Sequence, residues 1–146
     1  MSELKQVEIV LVEDSEEDAE ITIRGLQEAN LANNLVWLKD GEEALEFLFR
    51  RGRYRDHTEY SPRLILLDLK MPKVDGIEVL QAIKQNDKLR SIPVVMLTSS
   101  AEENDIVRSY DLGVNSYLVK PVDFRKFSQE IAKVGVYWLV MNRVPG

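Results

Sequence analysis

Cysteine is absent from this chain, and histidine occurs once, at His57. The first absence excludes a disulfide framework, a thiol nucleophile and a thiolate metal site. The lone His57 sits in an irregular stretch and is assigned no catalytic role. Glycine and proline are sparse, 7 and 5 among 146 residues. No Gly-rich phosphate loop is present, so a nucleotide-binding reading has nothing to rest on. No apolar run approaches the ~20 residues that a membrane helix needs. The opening Met1-Ser2-Glu3-Leu4-Lys5-Gln6 is polar and carries no apolar export core. Positive charge is also short, with 19 basic against 25 acidic residues and a net charge of -6. That balance argues against a nucleic-acid partner, which requires a basic face. These exclusions point to a cytoplasmic domain with no membrane and no nucleic-acid partner.

What is present is an ordinary globular composition, 45% hydrophobic and 30% charged, at a length that makes one domain spanning residues 1–146. The informative stretch runs from Leu64 through Leu67 into Asp68, and then through Pro72 to Gly76. Four large apolar residues bounded by turn signals read as a strand buried on both faces, as in a parallel sheet. Asp68 then stands where the strand leaves the sheet. A carboxylate there is either a turn-former or a site residue, since ligands of open α/β sheets bind beyond the carboxyl ends of the strands.

Four more segments resemble that one. Val7 to Val12 reads as a strand and ends in Glu13-Asp14. A helix follows, with Ala19, Ile23 and Leu26 at helical spacing, and ends near Asn30. Acidic side chains in a first turn cap orphan N–H groups, which accounts for Ser15, Glu16, Glu17 and Asp18 but less well for Glu13 and Asp14. Leu35 to Leu38 is a second strand, closed by the cap Asp40-Gly41, before a helix from Glu42 to Arg51 with Ala44, Leu45 and Leu48 inward. The insert at 52–62 holds Arg53, Arg55, Asp56, His57, Glu59 and Tyr60, with Arg50, Arg51 and Arg63 beside it. It reads as a solvated loop or as a docking surface for an acidic partner.

Beyond Asp68, Gly76 to Gln85 reads as a helix with Ile77, Leu80 and Ile83 inward. Ile92 to Leu97 is a strand ending in Thr98-Ser99-Ser100, with Ser100 a candidate N-cap. A helix then carries Ile106, Val107 and Tyr110 to its stop at Gly113. Ser116 to Val119 is the fifth strand and ends in Lys120-Pro121. Asp123 caps an extended C-terminal helix, 123–141, with an apolar seam of Phe124, Phe127, Ile131, Val134, Trp138 and Met141. Val136, Tyr137, Leu139 and Val140 make its end apolar nearly all round, so the tail either wraps its own domain or meets a second copy; a homodimer is the expectation.

Five strand–helix repeats predict an α/β fold, a doubly wound five-stranded parallel sheet with helices on both faces. Right-handed crossovers bring Glu13, Asp14, Asp68, Thr98 and Lys120 to one rim. Three carboxylates there repel one another unless a cation or protons neutralise them. Oxygen donors without His or Cys select a hard cation, and so few carboxylates suit Mg²⁺ better than a full Ca²⁺ cage. Mg²⁺ beside a Lys and a hydroxyl is equipment for holding a phosphoryl group, with a carboxylate able to serve as nucleophile.

Taken together, Val12-Glu13-Asp14, Leu66-Leu67-Asp68-Leu69-Lys70-Met71-Pro72-Lys73-Val74-Asp75-Gly76, Leu97-Thr98-Ser99 and Tyr117-Leu118-Val119-Lys120-Pro121 resemble the receiver domains of bacterial two-component response regulators. The resemblance runs from Val7 to about Ile131. It implies a flavodoxin-like strand order of 2-1-3-4-5, with Asp68 as phosphoacceptor for a sensor histidine kinase. It further implies Asp14 as a direct Mg²⁺ ligand, Glu13 as a ligand through water, and the Lys70 backbone carbonyl completing the set with Asp68. Thr98 and Lys120 would hold the phosphoryl group, the Lys120–Pro121 bond would be cis, and Tyr117 would turn inward as Thr98 moves. The domain would act in a phosphorelay as a signalling switch rather than as an enzyme. Glu13 departs from the Asp often found at its position. Lys70 and Ser100 occupy positions where the family tunes access of hydrolytic water. The insert and the aromatic tail are similar to single-domain regulators paired with phytochrome-type kinases, and no attached DNA-binding domain is expected. The rivals are a Mg²⁺-dependent aspartyl-phosphate phosphohydrolase, which usually has a second Asp where Lys70 stands, and an interaction module that never takes phosphate.

Overall fold

The computed structural model describes residues 7–56 and 62–142, so the polar start Met1 to Gln6 and the loop residues His57, Glu59 and Tyr60 lie outside the described residues. The elements follow in order as β1 (Ile9–Val12), α1 (Glu16–Glu28), β2 (Leu35–Leu38), α2 (Gly41–Phe49), a short 3-10 turn (Gly52–Tyr54), β3 (Leu64–Leu67), α3 (Gly76–Lys84), β4 (Val94–Thr98), α4 (Glu103–Asp111), β5 (Ser116–Val119) and α5 (Phe124–Val136). All strands pair in parallel in the order β2-β1-β3-β4-β5, the predicted one. Such an order reverses direction between β1 and β3, and there the loops after the two strands diverge to leave a crevice.

Side chains of a strand alternate between faces, and both faces here are covered, which explains the uninterrupted apolar runs. Ile65 and Leu67 of β3 point to one layer with Val10, Val12, Phe47, Leu80 and Ile83. Leu64 and Leu66 point to the other with Ile9, Leu11, Leu26, Phe127 and Ile131. α1 and α5 pack closely on this second face. A Cβ on Gly25 would come within 2.7 Å of the Ser128 carbonyl oxygen, so only glycine permits that approach.

Helix boundaries follow local chemistry. Ser15 accepts from the Asp18 N–H, Asp40 from Glu43, and Asp123 from Lys126, each closing a first turn. Asp75 and Glu78 form a reciprocal capping box on α3. α1 ends two residues before Asn30, which takes the left-handed conformation, and α2 ends at Arg50 in the same way. β4 begins at Val94 rather than Ile92, because Pro93 has no N–H to give a ladder.

Three expectations need correction, on Ser100, on the seam of the last helix and on one peptide bond. Ser100 is not the N-cap of α4, whose cap residue is Glu102; its hydroxyl donates instead to Asp105. The α4 residues Val107 and Tyr110 are largely exposed, and only Ser109 of that helix is buried. The apolar seam of the last helix also breaks at both ends. Phe124 is 61% exposed, standing in the first turn beside an open groove lined by Ile21, Arg24 and Glu28 of α1. Met141 is 66% exposed because α5 continues into a π-helical turn, Tyr137–Met141, in which Asn142 N–H donates to the Tyr137 carbonyl at 2.7 Å. One extra residue per turn rotates the register, so that Leu139 is buried instead. Its carbonyl accepts from Arg63 Nη2 at 2.6 Å, which ties the tail to the start of β3. Finally, no peptide bond among the described residues is cis, so Lys120–Pro121 takes the trans form that even a tertiary amide intrinsically prefers.

Candidate metal and phosphoryl site

Of the residues expected at the rim, Glu13, Asp14, Asp68 and Lys120 converge beyond β1, β3 and β5. One carboxylate oxygen from each of Glu13, Asp14 and Asp68 lies within 4.8 Å of the others. Glu13 and Asp68 are buried whereas Asp14 is exposed, so the cluster opens to solvent on one side. Local packing sets these positions. The Asp68 N–H donates to the Val12 carbonyl and Glu13 N–H to the Leu38 carbonyl, which extends the ladder one residue past each strand. Trp37 Nε1 donates to the Glu13 carbonyl at 2.8 Å and fixes that loop from the β2 side. Behind Asp68, a Cβ on Gly76 would fall 2.2 Å from the Asp68 carbonyl oxygen, so glycine lets α3 start directly against the end of β3.

Lys120 crosses from the end of β5 into the acidic cluster. Its Nζ lies 2.7 Å from Glu13 Oε1, 2.8 Å from Asp18 Oδ2 and 3.8 Å from Asp68 Oδ1. Burial opposes its charge, but the bonds to Asp18 and Glu13 outweigh that, and its pKa is raised. Burial likewise pushes the Glu13 carboxyl up, and repulsion from Asp68 adds to this; Lys120 offsets only part, leaving Glu13 at about 8. Asp68 is raised by its burial and by Asp14, against the attraction of Lys120. A single ammonium therefore does not neutralise the three carboxylates. The oxygen-only donor set, the 4.8 Å spread and the residual proton affinity all fit a hard divalent cation.

Thr98 is fully buried at the end of β4, and its Oγ1 accepts from the Ser100 N–H at 3.2 Å. Tyr117 is half-buried, with its hydroxyl donating to the Ser100 carbonyl at 2.9 Å. Lys70 has an exposed side chain that reaches toward Asp105 rather than into the cluster. Two participants escaped the sequence reading. Asp18, assigned only to helix-end chemistry, holds Lys120; its position one helical turn past Asp14 was the available signal. Asp105, in the first turn of α4, gave no sequence signal that set it apart from any other acid there.

The response regulator receiver domain family matches residues 9–132. Among curated proteins, the probable methanogenesis regulatory protein FilR2 of Methanothrix harundinacea is 42% identical over 94% of this chain and 87% of its own length. Response regulator Rcp1 of Synechocystis is 41% identical over 94% of this chain and 92% of its length. The crystal structure of the Mn²⁺-bound form of Rcp1 superposes with a TM-score of 0.87, at 40% identity over 97% of this chain and 100% of that one. The phosphorylated cyanobacterial phytochrome response regulator RcpA gives a TM-score of 0.89, at 37% identity over 97% of this chain and 100% of that one. Motifs, strand order and rim lead to one conclusion: the chain belongs to the response regulator receiver domain family.

Proposed function

We propose that this receiver domain accepts a phosphoryl group on Asp68, in a Mg²⁺-dependent step, from a sensor histidine kinase of the phytochrome-linked kind. The reading rests on one observation, the cluster of Glu13, Asp14 and Asp68 with the Lys120 ammonium among them. An Asp68 carboxylate oxygen attacks phosphorus, an O–P bond forms, and the N–P bond of the phosphohistidine breaks. The imidazole leaves with the electron pair and takes up a proton. Asp14, Asp68, the Lys70 carbonyl and, through water, Glu13 would hold Mg²⁺, which would supply positive charge to the phosphoryl oxygens. Lys120 shifts its ammonium to those oxygens and Thr98 donates its hydroxyl. Loss of phosphate is the domain's own hydrolysis, with water forming the new O–P bond and Asp68 leaving.

The dianion added at Asp68 biases a two-state equilibrium, which Thr98 and Tyr117 transmit to the α4–β5–α5 face. The exposed Val107, Tyr110 and Val119 on these elements supply the apolar surface whose presentation changes. The single domain works in the cytoplasm, and pairs with a second copy through its C-terminal turn. Supporting the pairing, Val136, Tyr137, Val140 and Met141 stay exposed there.

The test is phosphoryl uptake from acetyl phosphate, read by intact mass. Wild type gains one phosphoryl group with Mg²⁺ and loses the ability in EDTA, and Asp68→Asn gains none. Uptake by Asp68→Asn at the wild-type level overturns the proposal.

A further inference from the structure

Three segments meet at Asp105: the chain after β3, the chain after β4 and the first turn of α4. Its Oδ2 accepts a 2.5 Å hydrogen bond from Ser100 Oγ and lies 3.7 Å from Lys70 Nζ. The first contact is short and charge-assisted, the strong kind. The second joins a side chain that is 65% exposed to one that is 19% exposed, and such a pair is weak. The carboxylate is thus fixed from the Ser100 side and holds Lys70 loosely. Ser100 is itself anchored, since its N–H donates to Thr98 Oγ1 and its carbonyl accepts from Tyr117. Lys70 stands two residues after Asp68, yet among the described residues the ammonium that pairs with Asp68 is that of Lys120.

On the reading of Asp68 as phosphoacceptor, we infer that Asp105 is a positioning residue that holds the Lys70 ammonium in reserve and thereby sets how readily an anionic phosphodonor engages Asp68. A donor phosphoryl group approaches a rim that already carries three carboxylates. Lys70 turned toward the rim attracts that anion; Lys70 held by Asp105 does not. The hold is loose enough for a phosphoryl dianion to take the ammonium over. Release of Lys70 leaves Asp105 bonded to Ser100, so the carboxylate offers events at Asp68 a further route to the first turn of α4.

Asp105→Asn isolates the effect, because the amide oxygen still accepts from Ser100 while the charge that retains Lys70 is gone. The experiment measures the initial rate of phosphoryl uptake against acetyl phosphate concentration at saturating Mg²⁺. It compares wild type, Asp105→Asn, Lys70→Met and the double variant. Asp105→Asn lowers the half-saturating donor concentration several-fold and changes the maximal rate less. Lys70→Met raises that concentration, and on its background Asp105→Asn has a smaller effect. The inference is overturned if Asp105→Asn leaves half-saturation unchanged, or shifts it equally with and without Lys70. Lys70 is exposed, so Lys70→Met folds, and unchanged half-saturation in that variant alone also overturns it. When wild type takes up phosphate normally in either case, only the role of Asp105 fails. If wild type takes none at Asp68, the reading of the acceptor fails, and this inference with it.

Discussion

Glu13 is the residue whose energetics are least comfortable without a metal. Its carboxyl rises from an ordinary 4.5 to about 8 in the fold, through burial first and the Asp68 charge second. Between those values the folded chain retains a proton that the unfolded chain has lost. Stability therefore falls as pH rises through that window and levels off above it. In EDTA, the urea midpoint of wild type is expected to drop from about pH 5 to about pH 8, and more steeply than that of Glu13→Gln. Mg²⁺ favours the ionised carboxylates and should flatten or reverse the wild-type slope. A midpoint in EDTA that climbs over this range more steeply in wild type than in Glu13→Gln would contradict the assignment. Glu13, Asp14, Asp68 and Lys120 could be read as a rim from the sequence because each lies within two residues of a strand end. Asp18 could not, since one residue type serves equally as a helix-end acid and as a partner for Lys120, and only the tertiary placement of β5 chooses between them.

At the scale of elements, the start of α3 carries the site. A methyl group at Gly76 would meet the Asp68 carbonyl oxygen at 2.2 Å and the Leu69 Cα at 2.8 Å, both backbone atoms with little room to move. Gly76→Ala is expected to destabilise the fold by about 1–3 kcal/mol, the usual range for overpacking, and to weaken Mg²⁺ binding as well. Gly113→Ala is the comparison. Its φ of 99° is unfavourable for alanine, but the nearest atoms belong to the Lys84 side chain at 3.5 Å, far from the rim. It is expected to cost about 1–2 kcal/mol and leave Mg²⁺ affinity unchanged. Urea titrations with Trp fluorescence, together with Mg²⁺ titrations, separate the two; equal loss of metal binding in both variants would remove the special role of Gly76. The strands could be read from their apolar runs, and Ile77, Leu80 and Ile83 of α3 from their spacing. The π turn could not, because the residues from Val136 to Val140 satisfy several helical registers. The bond from Arg63 to the Leu139 carbonyl belongs to the register the fold adopts.

Among the described residues, apolar side chains stay exposed on α4 and β5, at the start of α5 and on the C-terminal turn. The proposed dimer uses the C-terminal turn. Sedimentation of the full chain should give twice the monomer mass, and Val140→Glu with Met141→Glu should return it to a monomer without loss of phosphoryl uptake. The same runs with Mg²⁺ and beryllofluoride report whether pairing follows the switch. A wild-type monomer under every condition would return the tail to its own domain. No helix of the described residues is long and apolar enough to cross a membrane.

By itself the order of residues determined the parallel sheet, its five strands and the meeting of Glu13, Asp14, Asp68 and Lys120. Those follow from local rules: alternation of side chains, turn residues, and the handedness of crossovers. The tertiary structure alone decided the face that the C-terminal turn buries, and the attachment of Lys120 to Asp18 and of Ser100 to Asp105. Each of these depends on which of several equally suitable partners lies within hydrogen-bonding distance, and that distance is set by packing between segments far apart in the chain.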